Sequence, residues 1–223
     1  MNNALIVLAG GLGSRTNNDI PKQFIEVDDV PIFINSIQPF LEFVDTIIIS
    51  CEKSYLDYAF ENINKHIKNK KVFVVEGGGT GLESTLNGFS KLLDFNYKFD
   101  YVFIHDAARP FLRIKTIVNC MDSLQKYDYV FAGAKMIESV YDEVSKEIKK
   151  KDNLYKIVSP HAFKFDFAKE IYKKALGSKE LTIFNFMIAN GYSVHIAESE
   201  DMNFKITTPD QLEFAVKILK NDD

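Results

Sequence analysis

No stretch of this chain reaches the roughly 18 apolar residues that a membrane-spanning helix requires. Its first apolar run, Ala4-Leu5-Ile6-Val7-Leu8-Ala9, is short and follows Met1-Asn2-Asn3 without a basic residue, which excludes a signal-peptide reading. Cysteine is scarce: Cys51 and Cys120 lie far apart in apolar contexts, with no C-x-x-C, and read as buried free thiols of a reducing cytoplasm. There is no basic surplus either. The 27 Lys and Arg face 31 Asp and Glu, a formal net charge of −4, which argues against a nucleic-acid or membrane-surface partner. Any cation that serves an anionic ligand must therefore act locally. Internal repeats, low-complexity tracts and interdomain linkers are lacking too, so the 223 residues suit one soluble, cytoplasmic α/β domain.

What is present begins at Leu8-Ala9-Gly10-Gly11-Leu12-Gly13-Ser14-Arg15, with Lys22 following inside Pro21-Lys22-Gln23-Phe24. The apolar run before it reads as a strand buried on both faces. Glycines admit a ligand close to the backbone, and successive N–H groups form an anion-binding concavity. Arg15 and Lys22 add positive charge, so a polyphosphate is the natural guest. Two familiar phosphate loops are missing. No Lys-Ser or Lys-Thr follows the glycines as a Walker loop demands, and the third glycine of G-x-G-x-x-G would fall on Thr16. On these residues alone a tight strand-to-helix turn remains an open reading.

Apolar segments then alternate between strand and helix patterns. Strands are expected at 45–51, 71–75, 101–104, 130–134 and 192–196, and helices at 32–41, 55–67, 82–93, 114–127, 165–175, 181–189 and after Thr208-Pro209-Asp210. Such alternation implies βαβ units and a mostly parallel sheet covered by helices. Ligands of these sheets bind outside the carboxyl ends of the strands. Ala9-Gly10, Gly77-Gly78-Gly79 and His105-Asp106-Ala107-Ala108-Arg109 all fall at such ends. The rhythm breaks over about 137–158, where two alternating segments flank a charged stretch. This reads as an exposed β-hairpin arm, with a mobile charged loop as the other reading.

Four motifs occur in order: Ala9-Gly10-Gly11-x-Gly13-x-Arg15, Pro21-Lys22-Gln23-Phe24, His105-Asp106-Ala107-Ala108-Arg109-Pro110 and Asn203-x-Lys205-Ile206-Thr207. Together they resemble the cytidylyltransferase family that contains the 2-C-methyl-D-erythritol 4-phosphate and ribitol-5-phosphate cytidylyltransferases, over nearly the whole chain. The resemblance implies a Rossmann-like nucleotidyltransferase fold, a mostly parallel central sheet and a β-arm that forms homodimers. It implies transfer of CMP from CTP to an alditol or sugar phosphate, releasing pyrophosphate. It also implies roles for individual residues. Arg15 and Lys22 hold the triphosphate and Lys205 the α-phosphate, while Asp106 binds Mg²⁺. Gly78, Gly79 and Ser84 hold the cytidine, next to Ala9, Gly10, Gly11, Gly13 and Ala107. Arg109 recognises the acceptor phosphate, Ser139 stands for a usual threonine, and Lys151 replaces an arm arginine that reaches the partner subunit's site. His105 and His161 are expected to be structural.

The chain departs from the family pattern in several places. Thr80-Gly81 stands where Thr-Arg is usual, Val158-Ser159-Pro160-His161 where Gln-Thr-Pro-Gln is usual, and Ile183-Phe184 where an acidic pair usually follows Thr182. The nucleotide side is thus better kept than the acceptor side. Phe24 points to the ribitol-phosphate branch, making ribitol 5-phosphate the favoured acceptor. Methylerythritol phosphate stands as the alternative, beside a UTP- or GTP-dependent transferase and a non-catalytic nucleotide-binding module.

Overall fold

The computed structural model describes residues 1–11 and 20–221. In chain order the elements are β1 (Ala4–Ala9), β2 (Glu26–Val27), β3 (Val30–Pro31), α1 (Ile32–Ile37), β4 (Thr46–Cys51), α2 (Leu56–His66), β5 (Lys71–Glu76), α3 (Gly81–Leu93), β6 (Tyr101–Asp106), α4 (Ile114–Leu124), β7 (Tyr129–Lys135), β8 (Val140–Asp142), β9 (Glu147–Lys149), β10 (Tyr155–Lys164), α5 (Phe165–Ala175), α6 (Ile183–Ala189), β11 (His195–Ser199) and α7 (Pro209–Asn221).

A seven-stranded sheet in the order β11-β7-β10-β6-β1-β4-β5 carries the fold. Its pairings are parallel except those of β10, which runs antiparallel to β6 on one side and β7 on the other. Strand β1 lies between β4 and β6 and is apolar throughout, because helices cover both faces of the sheet. On one face Leu5, Phe33, Ile63 and Ile117 pack together, which places α1, α2 and α4 there. On the other, Ile6, Leu86, Phe89, Ile171 and Phe186 join α3, α5 and α6. Burying each such side chain contributes about 1.5–3 kcal/mol. A third cluster of Val27, Ile32, Ala108, Ile206 and Ala215 docks α7 against the loop after β6. Helix α3 approaches β1 closely because Gly88 leaves room: a Cβ there would sit 2.6 Å from the Ile6 side chain.

Two expectations shift. The arm is smaller than 137–158. Its hairpin is β8 paired with β9, whereas Tyr155–Val158 pairs with Lys135–Ala132 as the first part of a central strand. The alternation at 154–158 marked a strand with one open face, and short-range pattern cannot tell an arm from a strand inserted between distant partners. The last strand begins at His195 rather than Tyr192, because Tyr192 instead turns back onto α6, its N–H donating to the Met187 carbonyl at 3.0 Å. No described helix is long and apolar enough to cross a membrane.

Candidate active site

The carboxyl ends of β1, β4, β5 and β6 gather the loops singled out in the sequence. Gly10 and Gly77 meet at Ser84, in the first turns of α3: a Cβ on either glycine would lie 3.5 or 3.1 Å from the Ser84 hydroxyl. That hydroxyl accepts the Gly78 N–H at 3.0 Å, so it fixes the second glycine loop against the first. Helix α3 begins with a capping box. Glu83 N–H donates to Thr80 Oγ1 at 3.0 Å and Thr80 N–H to Glu83 Oε2 at 3.2 Å. Gly81 backs onto the segment before α6, where a Cβ would meet the Leu181 carbonyl at 3.2 Å and the Leu82 N–H donates to that same carbonyl at 2.9 Å.

The buried Gln23 was not singled out by sequence. Its amide donates to the carbonyls of Ala9 (2.6 Å) and Gly11 (2.8 Å), tying the start of the first loop to the short helical turn at Lys22–Phe24. Lys22 is itself buried in that turn. Gly13 and Arg15 lie outside the described residues.

Asp106 ends β6 and takes a cation on each oxygen: Lys205 Nζ at 2.7 Å on Oδ1 and Arg109 Nε at 2.8 Å on Oδ2. Burial favours its protonated form, but Lys205 and Arg109 outweigh that effect and hold the carboxyl well below the usual carboxylate range. Lys205 sits on an irregular segment held by separate hydrogen bonds rather than a strand ladder. Ile206 N–H donates to the Ala108 carbonyl at 2.9 Å, and Arg109 Nη1 donates to the Asn203 carbonyl at 2.8 Å. Asn203 Nδ2 donates to the Ser159 carbonyl at 2.6 Å. Ile206 is wholly buried, which turns its neighbour Lys205 outward to the site.

Ser159, also unforeseen as a site residue, links the centre to β10 where that strand's register shifts between Val158 and His161. Asp106 N–H donates to Ser159 Oγ at 3.1 Å, and Ser159 Oγ lies 2.9 Å from His105 Nδ1. The other ring nitrogen of His105 faces the Arg109 carbonyl at 3.2 Å. A carbonyl only accepts, so Nε2 carries the proton and Ser159 donates to Nδ1. Burial lowers the His105 pKa to about 4, in keeping with a neutral ring of fixed tautomer. His105 thus props the Asp106–Arg109 turn. The pattern signal for Ser159 lay in its place within Val158-Ser159-Pro160-His161; its partners are 53 and 54 positions away.

A cleft of about 310 Å³ opens beside Asp106 and Lys205, walled by Ile157, Ser159, His161, Thr182 and Phe184. Broader hollows of about 480 and 800 Å³ lie around Met1 and Asp100, at the strand N-termini, the end of such a sheet where ligands are not expected. Ala107 is buried under the site, its N–H donating to the Leu8 carbonyl at 3.0 Å. Ser139 and Lys151 line none of this. Both are exposed on the arm, where Lys151 Nζ donates to the Ile137 carbonyl at 3.1 Å.

Among the described residues no cluster of three metal-ligating side chains exists. Asp106 offers one carboxylate. Mg²⁺ commonly binds through one or two carboxylates together with substrate phosphates, so these residues fit a cation that arrives with a polyphosphate and not a protein-only site.

A family model described as 2-C-methyl-D-erythritol 4-phosphate cytidylyltransferase matches residues 3–221. Among curated proteins, enzymes of that name from Thermosipho melanesiensis (34% identical over 218 residues, 94% of each chain) and Clostridium novyi (32% over 228 residues, 98% of this chain and 97% of that one) are similar. Among solved structures, the 4-diphosphocytidyl-2C-methyl-D-erythritol synthase of Anaerococcus prevotii matches with a TM-score of 0.79 at 22% identity over 99% of both chains. These relatives do not support the ribitol-phosphate branch favoured from Phe24. That ring is buried in the core, stacked on Tyr55 at 4.5 Å and edge-on to Phe33 at 5.6 Å, and its identity reports packing. With its sheet, its glycine loops and its paired cations at the strand ends, the chain belongs to the 2-C-methyl-D-erythritol 4-phosphate cytidylyltransferase family and is a CTP-dependent nucleotidyltransferase.

Proposed function

We propose that this enzyme transfers CMP from CTP to 2-C-methyl-D-erythritol 4-phosphate, giving the CDP-alditol and pyrophosphate. The observation that carries this reading is the family match over residues 3–221, joined to relatives of that name above 30% identity over 94% and 97% of their length. The cluster of Asp106, Lys205 and Arg109 at the strand ends suits the chemistry.

An oxygen of the acceptor phosphate forms the new bond to the α-phosphorus as the α–β bridging bond breaks and pyrophosphate departs. A phosphate monoester has its second pKa near 6, so the nucleophile is ionised at neutral pH and needs no general base. The protein's task is to position the reactants and offset charge on the α-phosphate. Lys205 supplies that charge to the α-phosphate, Arg15 and Lys22 to the departing pyrophosphate, and Arg109 to the acceptor phosphate. The first glycine loop, Ala9 to Gly13, offers backbone N–H groups to the triphosphate, and Gly78, Gly79 and Ser84 bind the cytidine. Asp106 orients both Lys205 and Arg109 and would hold a divalent cation with the triphosphate; such an ion, when bound, neutralises phosphate charge.

The arm exposes Tyr141, Val144 and Ile148, at 59%, 96% and 71% of their surface, which suits a contact with a second copy. Ser139 and Lys151 then act at the partner's site. Light scattering should give a dimer. The decisive assay is pyrophosphate release with CTP against a panel of acceptors. Turnover with 2-C-methyl-D-erythritol 4-phosphate at least tenfold above ribitol 5-phosphate and glycerol phosphate is expected; a preference for either of the others would overturn the reading.

A further inference from the structure

His161 stands on β10 at the wall of the cleft, three residues beyond Val158 and across from Phe184, whose ring centre is 6.2 Å away. Its Nδ1 lies 2.8 Å from the Tyr129 hydroxyl. Tyr129 is almost wholly buried on β7, and among the described residues its hydroxyl has no other partner. A buried hydroxyl proton left without an acceptor is costly. The tyrosine therefore donates to Nδ1, which puts the ring proton on Nε2. Among the described residues Nε2 has no hydrogen-bond partner, and it is not among the enclosed polar atoms. With β6 and β7 bonded to either side of β10, the open space next to this ring is the cleft.

We infer that His161 is a specificity-determining residue of the acceptor pocket: its Nε2–H, aimed by Tyr129, donates a hydrogen bond to a hydroxyl oxygen of the polyol phosphate, whose carbon skeleton lies along Phe184 and Ile157. This rests on the acceptor-transfer reading above and names the group that reads the acceptor. The direction of the bond follows from the pair itself. Burial, first, lowers the His161 pKa to about 4. The ring is neutral across the working range, so it offers one donor and no charge. The three apolar walls Ile157, Ile183 and Phe184 beside that donor suit a substrate that is part hydroxyl and part hydrocarbon. A wholly hydroxylated chain would leave oxygens unpaired against them.

The test compares His161→Phe, His161→Gln and Tyr129→Phe with the unaltered enzyme, using the acceptor that the unaltered enzyme turns over best in the panel above. That choice keeps this inference separate from the identity of the acceptor. His161→Phe keeps the ring and loses the donor; its KM for the acceptor should rise about tenfold, the size expected when a neutral hydrogen bond is lost from a half-buried site. Its KM for CTP should stay within about twofold. His161→Gln, which keeps an N–H donor, should recover most of the acceptor KM. Tyr129→Phe frees the ring to change tautomer and should give a smaller rise in the same constant. An unchanged acceptor KM in His161→Phe overturns the inference. So does an equal rise in both KM values, or a failure of His161→Gln to recover while remaining as stable as the unaltered enzyme.

Discussion

Lys205 reaches back 99 positions along the chain to place its ammonium 2.7 Å from Asp106 Oδ1. The two groups belong to different structures, a strand end and an irregular segment, and the contact exists only because Ile206 is buried against Ala108. Asp106 also holds Arg109, so one carboxylate binds two cations: Lys205, which lines the cleft, and Arg109, which is buried behind it against the Asn203 carbonyl.

Lys205→Ala should fold normally, since Asp106 retains Arg109 as its partner. A half-exposed side chain of this kind changes Tm by no more than about 2 °C. Pyrophosphate release should fall about 10²–10³-fold, the size seen when one preorganised charge is removed from a transition state. Full activity in this variant would remove Lys205 from the mechanism.

Ser159→Ala strands two buried groups, the Asp106 N–H and His105 Nδ1. The expected loss is about 1–3 kcal/mol, read as a fall of about 3–10 °C in Tm. Ser159→Thr keeps the hydroxyl and should restore most of it. If alanine is neutral in thermal unfolding, the relay from Asp106 to His105 does not hold the turn.

Gly78→Ala would put a Cβ 2.2 Å from Glu83 Cβ. The start of α3 must then move and its capping box is lost, a cost of about 1 kcal/mol for the cap alone. Both Tm and CTP affinity should fall, with the acceptor KM spared. An undisturbed KM for CTP would show that this loop does not hold the nucleotide.

Stability should depend on pH through two histidines. His105 and His161 are each lowered from 6.5 to about 4, by burial above all. Between those values the unfolded chain binds protons that the folded one refuses, so stability is full above about pH 6.5 and is lost as pH falls toward 4. The loss is about 2 kcal/mol per histidine between about pH 7.5 and about pH 5. Asp106 acts in the same sense but lower down: its depressed carboxyl adds stability above the ordinary carboxylate pKa, lost only in stronger acid. Urea midpoints at the two pH values measure the fall, and His161→Phe should roughly halve it. A flat profile would mean that neither ring is held neutral.

How much could be read beforehand varied with the range of the interactions. Strand β1, the glycines after it and helix α3 were legible because burial on two faces, loop chemistry and capping are local, written within a dozen residues. Strand β10 was misread at its start because its partners β6 and β7 are distant, and an alternating segment looks alike in an arm and in a sheet. The roles of Gln23, Ser159 and Tyr129 were invisible for a related reason: each is defined by hydrogen bonds to residues that sequence spacing does not bring near. Phe24 was read as a mark of the substrate when it is a mark of the core.

The sequence by itself determined the class of fold, the placing of the glycine loops at strand ends and the kind of reaction, because strand and helix periods and motif order are properties of the chain. Only the tertiary structure decided which cations share Asp106, which tautomers the two buried histidines hold, and which side chains line the cleft. Those depend on contacts such as Tyr129 with His161 and Lys205 with Asp106, made within 3 Å across 32 and 99 positions, and on a buried setting where polar groups must find partners.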